Sequence, residues 1–179
     1  SDLHLSAETP QLRTRFLGLL ATLAQHSAFQ NLYLLGDIFE YWIGDDLSID
    51  QYLPEIAALR ALTEAGKGVF WLAGNRDFLV NNQFAQQTGV SLLPDPHVIT
   101  IDKLSVLISH GDAWCIEDTA HQNFRQTALN PAYQANFLAL PAAQRQQIAV
   151  MLRQNSQSKQ YSQQNSQQNS QQNTVINTH

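Results

Sequence analysis

Four short polar clusters in this sequence carry the residue types that bind metal ions and act on phosphates. Taken in chain order, they are Asp2-Leu3-His4, Gly36-Asp37, Gly74-Asn75-Arg76-Asp77 and His110-Gly111-Asp112. Any one of them alone is common as a turn or a strand end. Together they offer carboxylate, imidazole and amide ligands with no thiolate. This mixture suits Mn²⁺, Fe²⁺ or Zn²⁺ better than a structural zinc knot.

The last three clusters each follow a short apolar segment that is typical of a buried strand. The carboxyl ends of neighbouring strands converge on one crevice of an open α/β sheet, so we expect the clusters to meet there. A pair of ions would need a shared carboxylate, and Asp37 is the natural bridge. Asn75 would add a neutral oxygen ligand, which limits the charge placed on one metal.

Apolar periodicity predicts the elements that must position these clusters. Helices are predicted at residues 10–28, 52–65 and 82–88, and strands at 32–35, 69–72, 97–101 and 104–109, with a turn at Asp102-Lys103. Strands alternating with helices indicate a layered α/β domain. Residues 119–153 contain no glycine and are predicted to form helices interrupted at Pro131 and Pro141. They could cap the α/β layer or pack into its core.

Composition and charge narrow the function further. With 179 residues, 44% of them hydrophobic, and one cysteine, the chain can build a core without disulfides, which suits a reducing compartment. All 15 acidic residues and six of the ten Lys and Arg lie in residues 1–118, so that part carries −9 and residues 119–179 carry +4. This balance argues against a nucleic-acid partner. The longest apolar stretch, residues 16–24, is too short for a membrane span.

The order D-x-H, G-D, G-N-x-D and H-G-D resembles the calcineurin-like metallophosphoesterase superfamily over residues 1 to about 118. The resemblance implies an α/β fold, a metallophosphoesterase-type αββα sandwich that is partial here, with a helical cap. It implies a core at 1–118, a cap at 119–153, and a low-complexity tail at 154–179 rich in Gln, Asn and Ser. That tail is predicted to be disordered.

One departure from the superfamily pattern concerns the reaction. Its third motif usually reads Gly-Asn-His, and the histidine protonates a poor leaving group, whereas this chain has Arg76. Arginine keeps its proton but can bind phosphate oxygens through a bidentate fork. The substitution therefore favours an anhydride substrate, whose phosphate leaving group needs little protonation.

A longer run, Gly36-Asp37-Ile38-Phe39-Glu40-Tyr41-Trp42-Ile43-Gly44-Asp45-Asp46, resembles the UDP-2,3-diacylglucosamine diphosphatases of lipid A biosynthesis. The resemblance implies hydrolysis of the substrate's pyrophosphate to UMP and 2,3-diacylglucosamine 1-phosphate. It implies two divalent ions, Mn²⁺ in the first instance, one held by Asp2, His4 and Asp37 and the other by Asp37, Asn75 and His110. It also implies catalytic roles for Asp37, His110 and Arg76, and substrate contacts from Asn75, Arg76, Asp118 and Ser156.

The same resemblance implies a peripheral protein on the cytoplasmic face of the inner membrane. The family's closing metal motif, Gly-His-x-His, does not occur in these 179 residues, and the chain opens at Ser1 directly before a charged motif. We therefore expect a piece of a longer chain. Two alternatives stay open: another dinuclear metallophosphoesterase acting on nucleotide pyrophosphates, and a non-catalytic scaffold of the same fold.

Overall fold

A computed structural model describes residues 1–154. Residues Ser1–Ala139 form one compact unit, and the second unit begins at Leu140. In the first unit the elements are α1 (Pro10–Gln25), β1 (Asn31–Leu35), α2 (Asp45–Ser48), a 3₁₀ turn (Ile49–Tyr52), α3 (Leu53–Glu64), β2 (Gly68–Leu72), α4 (Asn82–Thr88), β3 (Ser91–Leu93), β4 (His97–Ile101), β5 (Leu104–Ile108), a second 3₁₀ turn (Asp112–Trp114), α5 (Thr119–Ala128) and α6 (Pro131–Leu138). In the second unit, residues 142–154 are helical.

A parallel sheet with the order β1-β2-β3 forms the centre of the first unit. In its register Leu34 lies opposite Trp71, and Leu72 lies opposite Leu93. The chain start runs parallel to the segment after β1, where Leu5 and Phe39 form an isolated bridge. This pairing carries the first polar cluster to the same end of the sheet as the second.

Aromatic side chains form the core behind the loop that follows β1. Phe39 contacts the rings of Trp42, Tyr52 and Trp71 at centroid distances of 4.8, 4.3 and 5.6 Å. The Tyr52 hydroxyl also donates to the Leu5 carbonyl at 3.0 Å. Burying one such ring stabilises a fold by about 1.5–3 kcal/mol. The core therefore fixes both backbone segments that carry the polar clusters.

A hairpin of β4 and β5 forms a separate antiparallel sheet, with Ile101 paired to Leu104. The two turn residues, Asp102 and Lys103, have φ of 47° and 72°. Left-handed backbone at both central residues matches the twist of a two-residue hairpin. The predicted turn is confirmed. The expectation that the strand before His110 would be a neighbour of β1 and β2 is wrong, because among the described residues β5 pairs only with β4, in a separate sheet.

The α/β fold class is confirmed, and the helices and strands predicted from the sequence are present with small shifts at their ends. Helix α1 ends at Gln25 rather than at residue 28, because His26 adopts extended backbone. The prediction missed β3 and the short helical turns at residues 45–52. The predicted interruption at Pro131 is present, because α5 ends at Ala128 and α6 begins at Pro131. The division of the chain into core, cap and tail stays a prediction. No helix within residues 1–154 has the length and apolar character needed to cross a bilayer.

Candidate metal centre

Three predicted ligands lie together at the end of the parallel sheet. Asp2, His4 and Asp37 each place one ligand atom within 4.8 Å of the others. Backbone pairing causes this, since the amide of Asp2 donates to the Gly36 carbonyl at 3.1 Å and that of His4 to the Asp37 carbonyl at 3.0 Å. The first and second sequence clusters are thus brought into one group, as the sequence predicted.

All three of these residues have left-handed backbone, with φ of 58° at Asp2, 50° at His4 and 53° at Asp37. Non-glycine residues rarely adopt such angles, which cost free energy unless the surrounding structure enforces them. Here the hydrogen bonds between the two segments enforce them. The centre is therefore held in a strained geometry that aims three potential ligands at one point.

His110 reaches the same group from the loop after β5. Its ring Nδ1 lies 2.9 Å from the Leu35 carbonyl oxygen. A carbonyl oxygen only accepts, so Nδ1 must donate to it, and in a neutral ring the lone pair then lies on Nε2. That Nε2 lies 3.7 Å from Asp37 Oδ2, and the side chain is only 6% exposed. With Nδ1 bound to a backbone carbonyl and Nε2 directed at a carboxylate, the ring is oriented to bind a cation through Nε2.

Asn75 supplies an independent test of whether a cation fits. Its side-chain oxygen Oδ1 is buried and has no hydrogen-bond donor among the described residues. A buried acceptor without a donor costs free energy unless a cation or a water satisfies it. The next residue, Arg76, donates its backbone N–H to Asp37 Oδ1 at 2.9 Å, so this loop adjoins the same carboxylate. The residues present therefore fit a divalent metal.

Burial raises the pKa of the Asp37 carboxyl, opposed by the Arg76 amide and by His110 and His4. His4 contacts two carboxylates, because its Nδ1 lies 3.4 Å from Glu40 Oε2 and its Nε2 lies 3.9 Å from Asp37 Oδ2. The Glu40 carboxylate next to Nδ1 is the main reason that the pKa of His4 is raised. A bound cation would instead favour the charged carboxylate and the neutral ring.

Glu40 has a role that the sequence did not reveal. Its Oε1 lies 3.6 Å from Arg76 Nη1, while its other oxygen faces His4. Glu40 therefore holds the guanidinium of Arg76 next to the metal group. Glu40 belongs to the run from Gly36 to Asp46 on which the family resemblance depends. Nothing in the sequence indicated that its side chain contacts Arg76 and His4.

Asp77, also without an assigned role in the sequence, is fully buried beneath the centre. Its Oδ1 accepts from the amides of Asp37 at 3.2 Å and Gly74 at 2.8 Å. Its Oδ2 accepts from Ile38 at 2.9 Å and Phe39 at 3.4 Å. Burial raises the pKa of Asp77 to about 6, and the nearby Asp37 adds to the shift. Asp77 ties the loop after β1 to the loop after β2.

The two other predicted substrate residues lie elsewhere. Asp118 is exposed and caps helix α5, where its Oδ1 accepts from the His121 amide at 2.9 Å. Its contact with substrate stays a prediction. Ser156 lies outside the described residues, as does nearly all of the low-complexity tail.

Gly74 tests how tightly the centre is packed. A Cβ at this position would overlap Asp37 Oδ1 and the Asp37 backbone nitrogen. We expect Gly74→Ala to displace the Asp37 carboxylate and to lower Mn²⁺ affinity at least tenfold, measured by calorimetric titration. Gly18→Ala is the matched control, because a Cβ there meets nothing within 4 Å and alanine favours a helix. Equal affinities for the two variants would contradict the packing described for Gly74.

No protein-family model matches the chain. Curated relatives named UDP-2,3-diacylglucosamine hydrolase do match it. The protein of Chromohalobacter salexigens is 46% identical over 156 residues, which cover 87% of this chain and 63% of the relative. That of Serratia proteamaculans is 44% identical over 90% of this chain and 67% of the relative, and that of Hahella chejuensis 39% over 99% and 72%.

The chain thus spans about two thirds of the length of these relatives. The matched region covers most of the chain, and the match to the Hahella chejuensis relative covers 99% of it. With identities near 40% over these lengths, the chain belongs to the UDP-2,3-diacylglucosamine hydrolase family.

Proposed function

We propose that this protein contributes to hydrolysis of the pyrophosphate bond of UDP-2,3-diacylglucosamine in lipid A biosynthesis, giving UMP and 2,3-diacylglucosamine 1-phosphate. The observation that carries the proposal is the group of Asp2, His4 and Asp37, whose ligand atoms lie within 4.8 Å of one another. The name shared by the relatives supplies the substrate.

The proposed cofactor is a pair of divalent ions, Mn²⁺ in the first instance. Asp2, His4 and Asp37 would hold one ion, and Asp37, Asn75 and His110 the other. When bound, such ions lower the pKa of water to make a nucleophile and stabilise charge on the phosphate. Asp37 Oδ2 lies 3.9 Å from His4 and 3.7 Å from His110, which supports Asp37 as the shared ligand.

Arg76 would bind the diphosphate. Its side chain is 19% exposed, so it can reach substrate while Glu40 holds its orientation. A guanidinium fork stabilises two phosphate oxygens, and the leaving group of an anhydride is itself a phosphate that needs little protonation. His110 and Asp37 would keep the reacting phosphate in place through the metal group, and Asp77 would keep the supporting loops together.

A cavity of about 220 Å³ beside Asn75 supports an acylated substrate. Most of its walls are apolar, among them Phe78, Leu93, Pro94, Phe124 and Leu129. Phe78 and Phe124 lie edge to face with ring centroids 6.4 Å apart. An acyl chain in such a cavity is removed from water, which favours binding. A lipid substrate would also bring the protein to the cytoplasmic face of the inner membrane as a peripheral partner.

UMP release from UDP-2,3-diacylglucosamine, measured with Mn²⁺ and after chelation, tests this function. We expect release that depends on both the metal and the acyl chains. Equal turnover of soluble UDP-sugars would favour a general nucleotide pyrophosphatase. Absence of release with bound Mn²⁺ would favour a non-catalytic scaffold.

Arg76→His tests the choice of an anhydride substrate. Loss of a charge-assisted pair costs about 1.5–3 kcal/mol, so KM should rise roughly tenfold to hundredfold while Mn²⁺ content is unchanged. Kinetic assays with metal analysis on the same preparation measure both. Arg60→His, on the exposed face of α3, is the control. An unchanged KM and kcat in Arg76→His would remove the assignment of Arg76 to the diphosphate.

A further inference from the structure

Arg125 on α5 joins two carboxylates that border the His110 loop. Its Nε lies 3.0 Å from Asp112 Oδ2, and its second amino group, Nη2, lies 3.5 Å from Asp95 Oδ2. One guanidinium thus connects Asp95, which lies just before β4, with Asp112, which lies two residues after His110. Neither carboxylate had a role in the sequence reasoning beyond the H-G-D pattern.

Asp95 passes this connection to the His110 backbone. Its Oδ1 accepts the His110 amide at 3.0 Å, while its Oδ2 faces Arg125. The ring of His110 is in turn bound to the Leu35 carbonyl at 2.9 Å. His110 is therefore held at its backbone by Asp95 and at its ring by β1. A change at Arg125 would move only the first of these two attachments.

Charge and burial make the guanidinium necessary. Asp95 and Asp112 are each only 11% exposed, so each carboxylate has lost most of its water. His121 Nε2 lies 3.6 Å from Asp112 Oδ2 and is the other basic side chain within salt-bridge distance of that carboxylate in residues 1–154. Without Arg125, Asp95 would keep its charge with no cation within salt-bridge distance in the described part. Leaving a partly buried carboxylate unpaired costs free energy and favours its reorientation toward water.

We propose that Arg125 is a positioning residue for the metal centre, which acts through Asp95 to hold the backbone of His110. This rests on the proposed function, because the position of His110 matters as that of a metal ligand. Partners behind a metal ligand set its orientation, and their loss typically lowers metal affinity about 10- to 100-fold.

The test compares Arg125→Met with Arg60→Met, which removes an exposed guanidinium on α3. Nitrogen-15 NMR of the chelator-treated protein reports the backbone amide and the ring Nδ1–H of His110. Calorimetry with Mn²⁺ reports affinity. We expect Arg125→Met to shift the His110 amide and to lower Mn²⁺ affinity at least tenfold, and Arg60→Met to change neither.

Asp95→Asn separates positioning from general support of α5. It keeps an oxygen for the His110 amide but loses its charge toward Arg125. We expect Asp95→Asn and Arg125→Met to be non-additive in Mn²⁺ affinity, since both act on one connection. Additive losses would overturn the proposal, as would a lowered melting temperature in Arg125→Met with unchanged His110 signals and Mn²⁺ affinity.

Should Arg125→Met fail to fold, Arg125→Lys takes its place, because lysine keeps the charge but not the fork that spans both carboxylates. The His110 amide of Arg125→Lys should then shift from its position in the unmodified protein, and an unchanged signal would overturn the proposal. If the unmodified protein binds no Mn²⁺, the proposed function fails. The His110 signals of the chelator-treated variants still decide the role of Arg125.

Discussion

Replacing Asp37 by alanine is expected to reduce UMP release by at least about a hundredfold and to remove bound Mn²⁺. Partners behind a metal ligand already account for about 10- to 100-fold in affinity or activity, and a ligand shared by two ions should account for more. Asp37 Oδ2 lies 3.9 Å from His4 and 3.7 Å from His110, which is the position that a carboxylate shared by the two proposed ions requires. Metal analysis by mass spectrometry and the UMP assay measure the two effects.

A thermal readout keeps this prediction independent of turnover. A ligand that binds only the folded state raises the melting temperature by mass action. Mn²⁺ should therefore raise the melting temperature of the unmodified protein and of Asp50→Ala, an exposed control, but not that of Asp37→Ala. Full Mn²⁺ content and normal turnover in Asp37→Ala would show that the ions do not share this carboxylate.

Asp77→Asn should destabilise the fold by about 2–6 kcal/mol although it only replaces one carboxylate oxygen by NH₂, because each of two buried donors left unsatisfied costs about 1–3 kcal/mol. Both carboxylate oxygens accept two backbone amides each. An asparagine has one acceptor oxygen, so its NH₂ would face two N–H donors. Urea unfolding in the presence of chelator measures the difference without any metal contribution.

The matched control for Asp77→Asn is Asp102→Asn in the β4–β5 turn. Asparagine tolerates the left-handed backbone that Asp102 adopts at φ 47°, so this variant should be as stable as the unmodified protein. If Asp77→Asn and Asp102→Asn unfold at the same urea concentration, and their free energies of unfolding fall with urea at the same slope, Asp77 does not hold the loops after β1 and β2 together.

Much of the fold could be predicted because its signals are local. The apolar runs of β1 and β2 end at glycines, and polar clusters follow both, so their convergence was expected and is confirmed for Asp37. By contrast, β3 is three residues long and two of them, Ser91 and Leu92, are exposed. Its strand conformation comes from pairing with β2, which no local pattern encodes.

The candidate ligands could be predicted by residue type, but their supporting partners could not. Glu40 and Asp77 are ordinary acidic residues in sequence, and their roles arise from backbone amides and side chains far along the chain. The same holds for Arg125, since the sequence predicts only that it lies in a helix and not that it binds Asp95 and Asp112. Tertiary contacts between separate segments determine these roles, so one sequence does not display them.

The pairing of the chain start with the segment after β1 has a consequence for the order of synthesis. Asp2 and His4 are synthesised before their backbone partners Gly36 and Asp37, which follow about 35 residues later. The amide of Asp37 is bound by a side chain 40 residues farther on, and the ring of His110 meets a carbonyl 75 residues before it. Contacts between distant residues form slowly, because the intervening chain must first be ordered. A nascent chain that has not yet reached His110 therefore lacks one proposed ligand, so the complete proposed metal centre cannot form before that residue is synthesised.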